Sequence, residues 1–391
     1  MEKEPSNLSS EILHSESAAG RISRGKSRKR SLWILFIAFL ALLALIAFGL
    51  KTGKIRRPEN GIQFGQISDQ SKGPSDKSCE SNPKPVFTSG FTDLENIKQV
   101  NPIGGIMVGS PGRSYVQVKG EGASRIKTPL YAPIDTTIQS LVYARRDPNN
   151  PAAPGEYRLE FRISCEVTFN FDHIDDVVDK IKAYAPAEPS SRSNDLKYVS
   201  IPVKAGELVG YTDGTPQAGS FDLFLLNSAK TVPHINPVRW KWDQVVTADC
   251  PYDYFSDELK AKYYDIMRSQ DGQVLEPLSC GSPSHDVAGT AAGGWFQGDA
   301  TDTSGKWLEI GTLAKRVEIN RRENGSGNFS VRDYKAKVMP ENVTPGNSAC
   351  YSDTGKWAYI KLNSETEMSV ATGSGSCPAT FPENQAEAWE R

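Results

Sequence analysis

Apolar and polar residues alternate along Tyr157-Arg-Leu-Glu-Phe-Arg-Ile and again along Val167-Thr-Phe-Asn-Phe. A period of two marks a strand with one buried face. From about Val86 onward the chain reads this way, its runs divided by turn clusters such as Arg145-Arg-Asp-Pro-Asn-Asn-Pro-Ala-Ala-Pro-Gly, whose prolines and glycine favour a long hairpin loop. Two segments predict helices. One runs from Ile174 to Tyr184 after Asp172, the other from Asp257 to Arg268, with Ser256 as N-cap and acids in the first turn. The pattern breaks once, at Leu32–Leu50, nineteen residues without a charge. At helical rise that run crosses a hydrocarbon layer of ~30 Å.

The flanks of this run suggest an orientation. Arg21, Arg24, Lys26, Arg28, Lys29 and Arg30 precede it, and Lys51, Lys54, Arg56 and Arg57 follow. The larger basic cluster stays in the cytoplasm, so the expectation is a single-pass protein of the cell membrane, N-terminus inside, large domain outside. A cleaved signal peptide would have a shorter apolar core and a small-x-small site; Phe48-Gly49-Leu50-Lys51 makes a poor one.

These patterns divide the chain into a polar tail (1–31), a transmembrane helix (32–50), and a Gly/Pro/Ser/Lys-rich linker (51–85). A first β lobe (86–245), a helical connector (246–286) and a second β lobe, barrel or sandwich (287–391), follow. The second lobe carries an internal echo: Thr301-Asp-Thr-Ser-Gly-Lys-Trp-Leu-Glu-Ile and Tyr351-Ser-Asp-Thr-Gly-Lys-Trp-Ala-Tyr-Ile. Each Gly-Lys-Trp reads as a turn feeding a strand, by duplication or by coincidence.

Charge excludes one class of partner. Lys+Arg (45) and Asp+Glu (47) nearly cancel, whereas a nucleic-acid-binding domain is clearly basic. Cys79, Cys165, Cys250, Cys280, Cys350 and Cys377 all follow the apolar run, as disulfides of an oxidising compartment would. Nearness along the chain suggests Cys250–Cys280 and Cys350–Cys377. There is no Cys-x-x-Cys, no Walker A and no dinucleotide-binding glycine pattern, so no cofactor is expected. Asn324-Gly-Ser, Asn328-Phe-Ser and Asn342-Val-Thr match the glycosylation acceptor.

Four segments between about Lys127 and Asn227 carry a resemblance. Thr128-Pro-Leu-Tyr-Ala-Pro-Ile-Asp, Phe169-Asn-Phe-Asp-His-Ile, Val203-Lys-Ala-Gly-Glu-Leu-Val-Gly and Phe221-Asp-Leu-Phe-Leu-Leu resemble, in order and spacing, the motifs of the lysostaphin-type zinc metallopeptidases. The resemblance implies a small β-sandwich, here the 86–245 lobe. It covers about a quarter of the chain. In that family a His and an Asp of H-x-x-x-D and the second His of H-x-H hold the zinc. Here no histidine lies between His14 and His173, and Phe221–Leu226 contains none. A catalytic zinc requires three protein ligands and an open position, so the resemblance implies a degenerate member without metal.

Candidate binding residues are His173, flanked by Asp172 and Asp175, and Asp222 on an apolar strand. Trp240 and Trp242 alternate on one expected strand face, where an exposed pair could stack on sugars and a buried pair would be core. His285-Asp286 with Ser282 or Ser284 invites a Ser/His/Asp reading, but no G-x-S-x-G elbow accompanies them. The expected function is a non-catalytic binding or scaffold module of the cell envelope, its partner a glycan, a peptide or another envelope protein. The alternative is an envelope hydrolase with a non-standard site, and a purely structural subunit is a third possibility.

Overall fold

The computed structural model describes residues 79–391 except 217 and 325. The expected tail, the apolar run and the linker up to residue 78 lie outside the described residues. Among the described residues no helix is long and apolar enough to cross a membrane.

The described chain is mainly β. In the first lobe the strands are β1 (Ile97–Val100), β2 (Ser114–Val118), β3 (Thr128–Tyr131), β4 (Thr136–Arg145), β5 (Gly155–Arg162), β6 (Val167–Ile174), β7 (Asp176–Val177), β8 (Lys197–Val203), β9 (Leu208–Thr212), β10 (Ser220–Asn227) and β11 (Ala248–Asp249). One sheet runs β1-β2-β10-β6-β5-β4-β8, with β11 beside β10; a three-stranded sheet, β3-β9-β7, completes the lobe. The two sheets share one core. Leu130, Val177 and Val209 of the small sheet bury with Ile138, Phe161, Phe169 and Phe171 of the large one. The alternation read from the sequence is the reason. Leu159 and Phe161 on β5, and Phe169 and Phe171 on β6, all point inward, each contributing about 1.5–3 kcal/mol of burial. Phe91 stacks on Phe169 at 4.8 Å.

The helix expected over Ile174–Tyr184 shrinks to one turn, Asp179–Lys182. Asp176 and Val177 are captured instead by β9, opposite Tyr211 and Gly210, so strand pairing overrides local propensity. The second expected helix forms over Asp257–Asp265 with acids in its first turn, but the Ser256 side chain makes no cap bond.

The second lobe is β12 (Gly293–Phe296), β13 (Lys306–Leu313), β14 (Arg316–Glu323), β15 (Ser326–Asp333), β16 (Ser348–Asp353), β17 (Lys356–Leu362), β18 (Glu367–Ser374) and β19 (Glu387–Glu390). They form one sheet, β15-β14-β13-β12-β19-β18-β17-β16, that curls into a nearly closed barrel. At the seam side chains replace the ladder: Asp353 accepts the Arg332 amide (3.1 Å) and Asp333 the Ser352 amide (3.0 Å). Leu308, Ile310, Val317, Ile319, Ile360, Leu362, Val370 and Trp389 share a buried core, as in small barrels whose interior is packed with side chains. The two Gly-Lys-Trp triplets occupy matching places. Each opens the second strand of a four-stranded meander, β13 in β12–β15 and β17 in β16–β19.

Three disulfides brace the whole: Cys79–Cys165, Cys250–Cys280 and Cys350–Cys377. The first fastens the incoming chain to the turn before β6. Glu166 holds it further through the Ser81 hydroxyl (2.5 Å) and the Asn82 amide (2.9 Å). The lobes meet on the outer face of β14. There Arg316 donates to the Ile106 carbonyl (2.7 Å) and Asn320 to the Val108 carbonyl (2.6 Å).

Candidate functional site

Antiparallel pairing of β10 with β6 sets Asp222 directly opposite Asp172. Their neighbours Phe221, Leu223 and Phe171 point into the core, so both carboxylates emerge together on the other face. Like charges placed opposite on a sheet repel, and here a cation separates them. Arg113, just before β2, brings Nη1 to 3.0 Å from Oδ2 of Asp172 and to 3.0 Å from Oδ2 of Asp222. Its Nε donates to Gln244 Oε1 at 3.1 Å, and its guanidinium covers the Phe224 ring at 4.9 Å. Asn170, opposite Phe224 in the register, is fully buried with neither amide atom bonded.

His173 follows in a left-handed backbone conformation, φ 63°, uncommon for a residue other than glycine. Its amide donates to Asp172 Oδ1 (3.0 Å), and its carbonyl accepts from the Thr212 hydroxyl (2.8 Å). The imidazole is thereby aimed with Nδ1 2.9 Å from Glu156 Oε1 and Nε2 3.8 Å from Asp222 Oδ2. Arg146 extends the chain of charges, holding Glu156 at 3.0 Å and pairing with Asp175.

The electrostatics follow from burial set against these partners. Burial raises the Asp222 carboxyl, and Arg113 only partly offsets it. For Asp172 burial acts the same way, but Arg113 and His173 outweigh it and hold the carboxyl below its ordinary range. Burial would lower His173, yet the bond to Glu156 and the charges of Asp172 and Asp222 lift it to about 9. Tyr115, opposite Asp222 on β2, is pushed up to about 12, first by burial and then by that carboxylate. The imidazole is therefore an imidazolium at neutral pH, a donor rather than a base.

His173 and Asp222, singled out in the sequence, are brought into one cluster. Trp240 and Trp242 lie elsewhere. Trp240 is 4% exposed, stacked on His234 at 4.2 Å and edge-on to Phe296 and Trp307 at 5.5 and 5.6 Å, with Trp242 packed against the same group. The segment is no strand: it joins a turn of 3-10 helix, Pro237–Arg239, to the short helix Asp243–Val246. Asp302 grips the Lys241 and Trp242 amides at 2.7 and 3.1 Å. The expectation of two tryptophans alternating on a strand face is thus corrected, and the Trp240 ring serves as packing between the lobes. No triad forms at His285, whose Nδ1 faces Glu309 Oε1 at 2.9 Å. The Ser282 and Ser284 hydroxyls accept backbone amides of their own turn.

Arg113 and Glu156 are the members that sequence reasoning missed, and Asp172 entered it only as the neighbour of His173. Arg113 lies 59 and 109 residues from the carboxylates it joins, and no local pattern announces such a contact. Among the described residues no group of three or more His, Cys, Asp or Glu side chains is placed to hold a metal ion. No family model, no curated protein and no solved structure matches the chain.

Proposed function

We propose that this protein is a membrane-anchored, extracytoplasmic binding or scaffold module of the cell envelope, non-catalytic, on a degenerate lysostaphin-type peptidase fold. The apolar run at Leu32–Leu50 supplies the anchor. The three disulfides suit an oxidising compartment outside it. The observation that carries the non-catalytic reading is the position of Arg113. Its guanidinium already bonds both carboxylates that face each other in the cluster, occupying the place that a metal or an activated water would take between them. Protonated His173, partly exposed, offers Nε2–H, and Arg113 offers its second amino group. Such an arrangement receives acceptor groups, for instance the carbonyls and carboxylates of an envelope peptide.

The hydrolase alternative draws on one feature: a histidine in left-handed backbone, its ring oriented by a glutamate, which is strain of the kind active sites hold. The two readings separate by sedimentation. Full-length protein incubated with purified cell-wall sacculi should pellet with them and release no soluble fragments, and His173→Gln should reduce the pelleted fraction. Fragment release that His173→Gln abolishes would establish the hydrolase instead.

A further inference from the structure

At the end of β10 remote from Asp222, a cleft of about 470 Å³ opens beside the Cys250–Cys280 disulfide. That volume falls within the ordinary range of small-molecule sites. The disulfide joins two of its walls, so the cleft is preformed, and a preformed site loses less entropy on binding. Lys230 and Lys260 line it together with Asp249 and Asp253. The formal charges cancel, but the hydrogen-bonding capacities do not.

Asp249 is heavily used. Its Oδ2 accepts from Lys230 and from the Tyr254 hydroxyl at 2.7 Å, and its Oδ1 from the Cys250 amide at 3.0 Å. Asp253 Oδ1 accepts from Lys260 at 2.6 Å and from the Tyr264 hydroxyl at 2.7 Å. Each ammonium, by contrast, spends one N–H on its carboxylate and keeps the others. Ser279 and Ser282, also in the lining, accept backbone amides through their oxygens at 3.3 and 3.1 Å, so their O–H protons remain to be donated. Asp253 Oδ2 stays open, but the unspent ammonium N–H groups of Lys230 and Lys260 and the two hydroxyls outnumber it, so donors are in surplus around a concave, braced space.

We propose that this cleft binds a small organic oxyanion, a carboxylate or a phosphate ester, held between Lys230 and Lys260 with the two serine hydroxyls. Charge-assisted bonds to ammonium groups are the strong class of hydrogen bond, and a ligand with several acceptor oxygens uses the whole surplus at once. The site is separate from the Arg113 cluster and does not depend on its role.

Isothermal calorimetry on the full-length chain tests this, with inorganic phosphate and malonate as separate probes at constant ionic strength. Saturable binding of at least one probe is expected, and the tighter of the two names the oxyanion. Lys230→Gln and Lys260→Gln should each weaken it about tenfold and the double variant should abolish it, in protein that still unfolds cooperatively. Lys204→Gln, an equal charge change at an 80% exposed lysine, should bind as the parent does. Absence of saturable heat with both probes, or undiminished binding by a folded double variant, would overturn the proposal.

Discussion

Two histidine–glutamate pairs in this molecule share one geometry and differ in everything around it. His173 meets Glu156, and His285 meets Glu309, each with Nδ1 2.9 Å from a carboxylate oxygen. The His173 side chain keeps 28% of its surface exposed and its glutamate 16%, whereas those of His285 and Glu309 keep 12% and 1%. Glu309 lies against the lobe-joining loop, beside Gly109 and Trp307, on the same barrel surface as Arg316 and Asn320, which bond that loop. A histidine enclosed with its partner fastens the chain entering the barrel to the barrel wall. One left partly open among unspent donors can meet a ligand. Surroundings, not the pair, separate a site from an internal fastening.

The largest effect should come from Arg113→Ala. It leaves two facing carboxylates, one of them 4% exposed, without their cation, and breaking such a buried pair costs about 3–5 kcal/mol. Urea unfolding at neutral pH measures it. Carboxylates without that cation have raised folded-state pKa values, so the loss should shrink as pH falls. A variant as stable as the parent would show that Arg113 does not clasp the pair.

Glu309→Gln should cost less, about 1.5–3 kcal/mol. Burial lowers His285 but Glu309 outweighs it and holds the proton on; without the carboxylate the imidazole can release that proton, an escape that facing carboxylates lack at neutral pH. A cost above that of Arg113→Ala would reverse the ranking and make the lobe junction the more strongly coupled region.

The third effect is a slope. The folded-state value for His173, about 9, exceeds its ordinary 6.5, so its stabilisation is complete below about 6.5 and is lost as pH rises through about 9. His173→Gln should flatten the decline of stability across that window by roughly 1 kcal/mol per pH unit, leaving the share due to His285. An unchanged slope would contradict the ion pair with Glu156.

Much of this is legible in the sequence where the contacts are local or periodic. Alternation locates β5 and β6 because Leu159, Phe161, Phe169 and Phe171 must face one core. The short loops of Cys250–Cys280 and Cys350–Cys377 make those pairings guessable, while Cys79–Cys165 spans 86 residues. His173 and Asp222 stand out as a lone histidine and a carboxylate on an apolar strand. Arg113 does not, because its meaning comes from strand register and not from its neighbours. Trp240-Lys-Trp242 imitates a strand over three residues, but Pro233 and Pro237 close by favour turns, and tertiary packing decides the rest.

The protonation state of His173 bears most directly on the claim that the cluster binds rather than cleaves. Following the imidazole resonances of the full-length protein by NMR as pH rises, with His173→Gln to assign them, gives that state without reference to any ligand. A ring that stays protonated through neutrality and titrates near 9 is the predicted result. A midpoint at or below about 6.5 would make His173 a free base at neutral pH, contradict the clasped cluster, and restore the hydrolase.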